Sequence, residues 1–501
     1  MGNRFDDAMI TEQHTTYTEN GAKALNTTGG GALLDLFSVA GAMRSRSDEE
    51  IVDKFVLAFD ENPLLAMKLL FHTRNVRGGL GERRTFRTAL KWVATRYPKS
   101  VCVNLDLIAE FGRWDDYFTL IDTPVEDDMW DFLNAQFVKD FATVDLGDRA
   151  PVSLLAKWLY APNTSSEEHR RIAYKTAKKF GMHLSEYRKA VSALRKYLNV
   201  TERNICDNTY ENISYEKVPS QSMRRNSGIF KTHDTERFEG YIKSVAEGKA
   251  EIKTGAITPG DIMHDMGINT GYGINIRCVN NPVAEAQWKN LPNYLEGAKG
   301  NAIAVVDTSG SMAVQSYPLE MAIGLGIYLS EHLEGAFKDR MITFSSRPSY
   351  ISFKGCKTLE EKLHRIPSIV ENTNLEKVFD LILNTAVKHS VPQSELPSTI
   401  MVFTDMEVDA GCSTDIDSAD FNERMSAKFK EKGYVMPTII YWNLDSRHDT
   451  FLSGAHGNVQ FYSGVSASTF NNVMNSIGMT AYDAMLNTLN NPMYDKVVFV
   501  D

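Results

Sequence analysis

A regular alternation of two patterns constrains the second half of the sequence. Apolar runs of strand length occur at residues 302–306, 340–344, 399–404, 436–442, 459–462 and 497–500. Amphipathic helical patterns separate them, at residues 318–333, 374–390, 419–433 and 466–486. The strands are apolar throughout, which is typical of a mostly parallel sheet covered on both faces. The pattern predicts a doubly wound α/β domain, whose ligands bind beyond the carboxyl ends of the strands.

The first half has a different rhythm. Amphipathic helical stretches follow one another with Pro or Gly at the joins, at residues 48–62, 62–74, 83–98, 101–112, 151–160, 167–181 and 184–198. Such a series without strand signals predicts an α-helical repeat scaffold of the HEAT type, although no fixed sequence period is visible. Residues 211–230 are predicted to be a loop and residues 267–282 a Gly/Asn-rich linker. We therefore expect a helical part at 1–297 and an α/β part at 298–501.

Length and composition predict a soluble protein with more than one hydrophobic core. A chain of 501 residues exceeds what one hydrophobic core usually serves. Apolar residues make up 43% and charged residues 24%, as in soluble globular proteins. No apolar run is long enough to span a membrane. The five cysteines form no CxxC pair, which suits a reducing compartment. These features predict a cytoplasmic protein that does not enter a membrane.

Oxygen-bearing side chains stand at the predicted strand ends. Asp307 follows the run 302–306, and Ser309 and Ser311 lie on the turn before a helix. Thr373 precedes the helix at 374–390, and Asp405 follows the run 399–404. An all-oxygen set of this kind suits Mg²⁺, with Mn²⁺ or Ca²⁺ as alternatives, and does not suit zinc. Because Mg²⁺ takes six ligands, so sparse a set would leave a position for an acidic group of a partner.

Other interpretations of these residues stay open. Asp and Ser are common at helix N-termini, which would explain each residue separately. Glu407 is either a further ligand through a water molecule or an acid on the protein surface, and we favour the surface position. A hydrolase is disfavoured because no GxSxG motif is present and His332, His364 and His389 lie in helical stretches rather than at strand ends. We therefore predict a protein that is not an enzyme.

The motifs resemble a known domain architecture. The segments "DTSGSM", "NTNLEKVFDLIL" and "VFTDMEVD" are similar to the metal-ion-dependent adhesion site (MIDAS) of a von Willebrand factor A domain. The segments "NPLLAMKLLFHTRNVRGGLGERRTFRTALKWV" and "EFGRWDDYFTL" resemble the N-terminal half of an uncharacterised family of Ro-like, TROVE-related proteins. That likeness spans nearly the whole chain. It implies helical repeats that close into a ring with a C-terminal von Willebrand A domain.

The resemblance also implies a partner, since Ro proteins bind small or misfolded non-coding RNA and form ribonucleoproteins. Two basic islands would carry this role, because residues 51–100 hold 10 basic and 4 acidic groups and residues 151–200 hold 10 and 3. Guanidinium groups beside aromatic rings suit single-stranded RNA. The predicted RNA-binding residues are Arg74, Arg77, Arg83, Arg84, Arg87, Arg170, Arg171, Lys175, Lys178, Lys179, Arg188, Arg195 and Lys196.

Two functions follow as alternatives. The first is a monomeric, non-catalytic protein that binds RNA through the helical scaffold and carries a Mg²⁺-containing von Willebrand A domain. The second is an interaction adaptor whose metal ion captures a carboxylate of a protein partner. Against RNA binding, the first half is nearly neutral, and its arginines are equally suited to a solvated helix face. Arg77 and Arg83 could also pair with Asp115 and Asp116 as structural ion pairs.

Overall fold

One six-stranded sheet collects five of the six predicted strands. In the computed structural model the strands are β1 Thr15–Tyr17, β2 Lys23–Leu25, β3 Ile268–Asn269, β4 Asn275–Ile276, β5 Ala302–Asp307, β6 Arg340–Phe344, β7 Ser349–Ser352, β8 Thr399–Thr404, β9 Thr438–Asn443 and β10 Val459–Ser463. The large sheet has the order β10-β9-β8-β5-β6-β7. All its neighbours are parallel except β6 and β7, which form an antiparallel edge pair. β5 and β8 are buried along their whole length, as the apolar runs predict.

The structure describes residues 13–147, 150–269, 275–276, 280–297, 301–313, 317–344, 347–367, 374–408, 421–455 and 457–501. Within these ranges no helix is long and apolar enough to cross a membrane. The predicted boundary at 297–298 falls beside residues 298–300, which lie outside the described part of the chain.

The sheet corrects the prediction for residues 497–500, which form no strand. The sixth strand is β7, whose polar sequence SYIS buries only Ile351 and therefore gave no apolar signal. Residues 497–500 are apolar because they pack against the helical half of the molecule, where Phe499 contacts Phe59 and Tyr97.

The helices of the first half are α1 Ala32–Val39, α2 Asp48–Glu61, α3 Pro63–Arg74, α4 Arg84–Arg96, α5 Pro98–Cys102, α6 Leu105–Phe111, α7 Glu126–Asp145, α8 Leu155–Trp158, α9 Glu167–Lys179, α10 Leu184–Tyr197, α11 Thr201–Cys206, α12 Ser220–His233, α13 Thr235–Ala246, α14 Pro259–Asp265 and α15 Pro282–Lys289. A seven-residue 3₁₀ helix spans Trp114–Leu120. The helical prediction for this half is confirmed, whereas HEAT-like repetition stays a prediction.

Two segments of the first half differ from expectation. Residues 211–230 were predicted to be a loop, but α12 begins at Ser220 because Met223 and Phe230 bury one face in a small separate core. Residues 267–282 include the antiparallel pair β3–β4, although residues 270–274 and 277–279 lie outside the described part. Short polar sequences of this kind carry no periodic signal.

The helices of the second half are α16 Gly310–Ala313, α17 Tyr317–His332, α18 Leu359–Leu363, α19 Leu375–His389, α20 Phe421–Glu431, α21 Phe470–Asn475 and α22 Ala481–Leu489. α17 packs on β5, β6 and β8, and α22 packs on β10. The stretch predicted as one helix at 466–486 is divided, because Gly478 adopts a left-handed φ of 89° between α21 and α22.

The two halves share one hydrophobic core. It continues from Leu33 on α1 through the sheet to Val497. α1 packs directly on β10, and α14 packs on α17. The helical half therefore contacts the α/β half at the sheet, through α1, and at the helix α17, through α14.

Candidate metal centre

Two strand ends bring predicted ligands together. β5 runs parallel to β8 with Val306 opposite Phe403, so Asp307 and Thr404 follow at the same level of the sheet. The Thr404 hydroxyl donates to Asp307 Oδ2 at 2.6 Å, and the Ser309 N–H donates to Asp307 Oδ1 at 2.9 Å. Asp307 has no exposed surface. Its carboxylate is thus held in one orientation at the carboxyl edge of the sheet.

Ser311 links this group to the second predicted carboxylate. Its hydroxyl oxygen lies 3.0 Å from that of Ser309 and hydrogen-bonds the Asp405 carboxylate. Asp405 follows β8 directly, and its Oδ1 accepts the Glu407 N–H at 3.1 Å. Two carboxylates and two hydroxyls from separate parts of the chain therefore form one contiguous cluster.

The electrostatics of the cluster are unfavourable for two free carboxylates. Burial, reinforced by the neighbouring Asp405, raises the pKa of Asp307 to about 7. Burial likewise raises the pKa of Asp405 to about 6, although Arg447 opposes the shift. Two desolvated acids at one edge need a compensating positive charge or a proton.

The chemistry of this set fits a hard divalent cation. All four side chains present oxygen, the donor that Mg²⁺, Mn²⁺ and Ca²⁺ prefer. Among the described residues, no group of three or more His, Cys, Asp and Glu side chains is placed to hold a metal ion. A cation here would consequently depend on the hydroxyls of Ser309 and Ser311 as well as on the two carboxylates.

The fifth predicted ligand, Thr373, lies outside the described residues. The next residue, Asn374, caps α19 by accepting a hydrogen bond from the Lys377 N–H. The start of α19 is therefore fixed, while the position of Thr373 stays a prediction.

Arg447 is a charged neighbour of the cluster and was not among the predicted site residues. Its Nη2 lies 2.8 Å from Asp405 Oδ2 and 3.1 Å from Glu19 Oε2. It stands a few residues beyond the end of β9, at the same edge of the sheet as Asp405. The strand-end position was visible in the sequence, but the partner Glu19 comes from the far end of the chain.

The prediction that Glu407 lies on the protein surface is wrong, because its side chain is fully buried. Its carboxylate accepts hydrogen bonds from the Glu19 N–H at 2.6 Å and from the Thr450 hydroxyl at 3.3 Å. The Asn20 amide donates to the Glu407 carbonyl at 2.7 Å, and the Thr18 hydroxyl donates to Val408 O at 2.6 Å. Residues 18–20 thus fasten the loop that follows Asp405.

Most arginines of the first basic island, at residues 51–100, form ion pairs or hydrogen bonds within the chain. Arg74 Nε lies 2.8 Å from Asp116 Oδ2, and Arg87 Nε lies 2.7 Å from Asp116 Oδ1. Arg84 pairs with Asp48 at 2.6 Å. Arg77 donates to the carbonyl of Glu110 at 2.5 Å and does not pair with the two aspartates suggested for it. Arg83 is exposed and forms no ion pair with any residue that the structure describes.

In the second basic island, at residues 151–200, some cations have partners within the chain and others are exposed without an ion pair among the described residues. Lys175 pairs with Glu126 at 2.6 Å, Lys179 pairs with Asp127, and Arg170 and Arg195 donate to backbone carbonyls. On α9 and α10 the remaining predicted cations are exposed and have no ion-pair partner within the described ranges; they are Arg171, Lys178, Arg188 and Lys196. The structure brings these four to neighbouring helices.

Comparison with known proteins finds a family model and a viral relative that resemble this chain. A family model described as "Domain of unknown function (DUF7788)" matches residues 301–491. The "Uncharacterized protein L728" of Acanthamoeba polyphaga mimivirus is 26% identical over 535 residues, covering 97% of this chain and 90% of the relative.

A solved structure, the Ro (RSR) protein of Deinococcus radiodurans, is similar at 14% identity with a TM-score of 0.40, covering 89% of this chain and 98% of the other. At this TM-score the likeness is too remote to indicate function. A second family model, "Domain of unknown function (DUF2828)", matches residues 18–146 and 148–299, together more than half of the sequence. The chain therefore belongs to the DUF2828 family.

Proposed function

We propose that the chain is a non-catalytic binding protein that holds a divalent cation at the carboxyl edge of its sheet and captures an acidic group of a partner through it. The observation that carries the proposal is the contiguous cluster of Asp307, Ser309, Ser311 and Asp405. Helix capping would explain each residue alone, but it gives no reason for burying two carboxylates side by side.

Mg²⁺ is the proposed ion, with Mn²⁺ and Ca²⁺ as substitutes. Asp307, Ser309, Ser311, Asp405 and Thr373 would hold it, and its charge would offset the two buried carboxylates. Mg²⁺ keeps six ligands, so the remaining position would bind a carboxylate oxygen of a partner. The chain's own residues contribute orientation, because Thr404 fixes Asp307 and Arg447 fixes Asp405.

Calorimetric titration with Mg²⁺ tests the cation. The full chain is expected to bind one ion, whereas the Asp307→Ala variant binds none. Asp131→Ala, which removes an exposed acid on α7, serves as the matched control and binds as the wild type does. An unchanged titration in Asp307→Ala would refute the site.

A peptide array then tests the partner. Peptides that each carry one Asp or Glu are expected to be retained by the chain in Mg²⁺ and released by EDTA. Retention that is indifferent to EDTA would contradict capture through the ion.

RNA binding is the second candidate, and the exposed cations of α9 and α10 favour it. Arg171, Lys178, Arg188 and Lys196 lie on adjoining helices together with the exposed rings of Tyr174 and Tyr197. Cations and rings side by side suit single-stranded RNA.

Single-stranded RNA should bind more weakly as salt rises and when these four cations are replaced by Ala. EDTA should leave the binding unchanged, which separates this function from the cation site. Equal RNA affinity of the fourfold variant and the wild type would refute it.

A further inference from the structure

Residues 497–501 cross the helical half as an extended segment. They form neither helix nor strand, and their exposure alternates: Val497 is 2% exposed, Val498 is 41% exposed and Val500 is 39% exposed. Phe499, between the two exposed valines, is half-buried. The segment therefore turns alternate side chains toward the helices, as a strand added to a sheet edge does.

Buried polar side chains bind the backbone of this segment. Asn104 donates from Nδ2 to Val498 O at 2.7 Å and accepts from the Val498 N–H at 3.1 Å. Ser100 donates from its hydroxyl to Val500 O at 2.5 Å and accepts from the Val500 N–H at 2.7 Å. Asn104 is 1% exposed and Ser100 has no exposed surface. Both side chains bind a backbone N–H and a backbone carbonyl, which every residue except proline offers together.

The side chain of Phe499, which lies between the two backbone contacts, enters a pocket of aromatic rings. The ring of Phe499 lies 5.4 Å from that of Phe59 and 5.5 Å from that of Tyr97, both edge-on. Phe59 and Tyr97 also contact each other and Trp92, so the helices themselves hold the pocket in shape. Beyond the pocket, Lys99 donates to the backbone oxygen of Asp501 at 3.1 Å.

We propose that this groove, formed by Phe59, Tyr97, Lys99, Ser100 and Asn104, is a binding site for an extended peptide and is filled here by the chain's own residues 497–501. Backbone hydrogen bonds at alternate residues give affinity, and a side-chain pocket gives specificity, which is the physics of peptide recognition by strand addition. The partner that fits is an extended segment of another protein with an aromatic residue at the position of Phe499 and an apolar residue two positions before it.

The chain's own segment would then act as a tethered competitor. A tethered ligand has an effective concentration in the millimolar range, so a free peptide gains access only when the tethered copy is weakened or the partner binds more tightly. Displacement would free the backbone groups of Val498 and Val500, which pair here with Asn104 and Ser100.

A labelled pentapeptide of the sequence Val-Val-Phe-Val-Asp tests the site by fluorescence polarisation on the full chain. The Phe499→Ala variant, whose own segment no longer fills the pocket, is expected to bind it at least tenfold more tightly than the wild type. Adding Asn104→Ala should abolish binding, and a peptide with Ala in place of Phe should not bind. Val498→Ala, which alters only an exposed side chain, is the matched control and should behave as the wild type.

Folding is checked in each variant by its melting temperature. If Phe499→Ala does not fold, Val500→Pro replaces it, because proline removes the N–H that the Ser100 hydroxyl accepts and leaves the ring of Phe499 in place. A folded Phe499→Ala or Val500→Pro chain that does not bind the peptide at millimolar concentration would overturn the proposal.

Discussion

Arg74 was predicted to bind RNA, but its side chain forms an ion pair in the protein interior. Its side chain is 3% exposed, and its partner Asp116 is fully buried. Asp116 also accepts from Arg87 and from the Arg113 N–H, so one carboxylate joins α3, α4 and the 3₁₀ helix at Trp114–Leu120. Breaking a buried pair leaves an uncompensated charge, which costs more than the pair itself contributes.

Replacing Arg74 by Met should lower the free energy of unfolding by about 3 kcal/mol, because Asp116 would keep only part of its compensation. Arg171→Ala, on the exposed face of α9, should change it by less than about 0.5 kcal/mol. Urea denaturation measures both. Equal effects of the two substitutions would show that the Arg74 pair is not structural.

The candidate site illustrates how far single residues can be predicted from sequence. Asp307, Ser309, Ser311 and Asp405 could be predicted because parallel strands end at one edge of the sheet. Arg447 and the burial of Glu407 could not, since both contact Glu19, which is 388 residues from Glu407 along the chain and still further from Arg447. Local patterns identify strand ends but not the distant segments that cover them.

Among the elements, α14 and α17 cross in close contact. A Cβ atom on Gly324 would lie 2.7 Å from the carbonyl carbon of Pro259 and 2.9 Å from the nitrogen of Gly260. Only glycine allows backbones to approach this closely. The crossing attaches the last helices of the first half to the helix that covers β5 and β8.

Gly324→Ala should therefore lower the free energy of unfolding by about 2 kcal/mol through overpacking, despite the better helix propensity of alanine. Gly240→Ala on α13 is the matched control, because nothing lies within 4 Å of the added methyl group. It should stabilise the protein by about 0.5 kcal/mol. Thermal or urea unfolding would contradict the close crossing if Gly324→Ala stabilised the chain as well.

The whole molecule is held together by contacts between distant parts of the chain. Gly41 approaches Gly464 at the end of β10, and its N–H donates to the Ser463 hydroxyl at 2.9 Å. The Nδ1 atom of His72, on α3, lies 2.9 Å from the Tyr494 hydroxyl oxygen. The apolar segments at these contacts were visible in the sequence, but their partners were not, which is why residues 497–500 were mistaken for a strand.

His72 makes this junction sensitive to pH. Complete burial lowers its pKa to about 4, whereas an unfolded histidine titrates near pH 6.5. The unfolded chain therefore takes up a proton between pH 6.5 and 4 that the folded chain does not. Stability contributed by neutral His72 is present above about pH 6.5 and falls by about 3 kcal/mol as the pH drops to 4.

Urea denaturation at pH 7 and at pH 4.5 measures this loss. The fall in the free energy of unfolding between the two conditions should be about 2 kcal/mol smaller in His72→Gln than in the wild type. An identical fall in both chains would show that His72 does not couple the junction to pH.

Crystals of the full chain grown with Mn²⁺ test the central claim most directly, because anomalous scattering locates the ion. We expect one strong peak beside the hydroxyls of Ser309 and Ser311, between Asp307 and Asp405, that is absent from crystals of Asp307→Ala. An anomalous map with no peak at this edge of the sheet, or with peaks only elsewhere on the surface, would contradict a cation site.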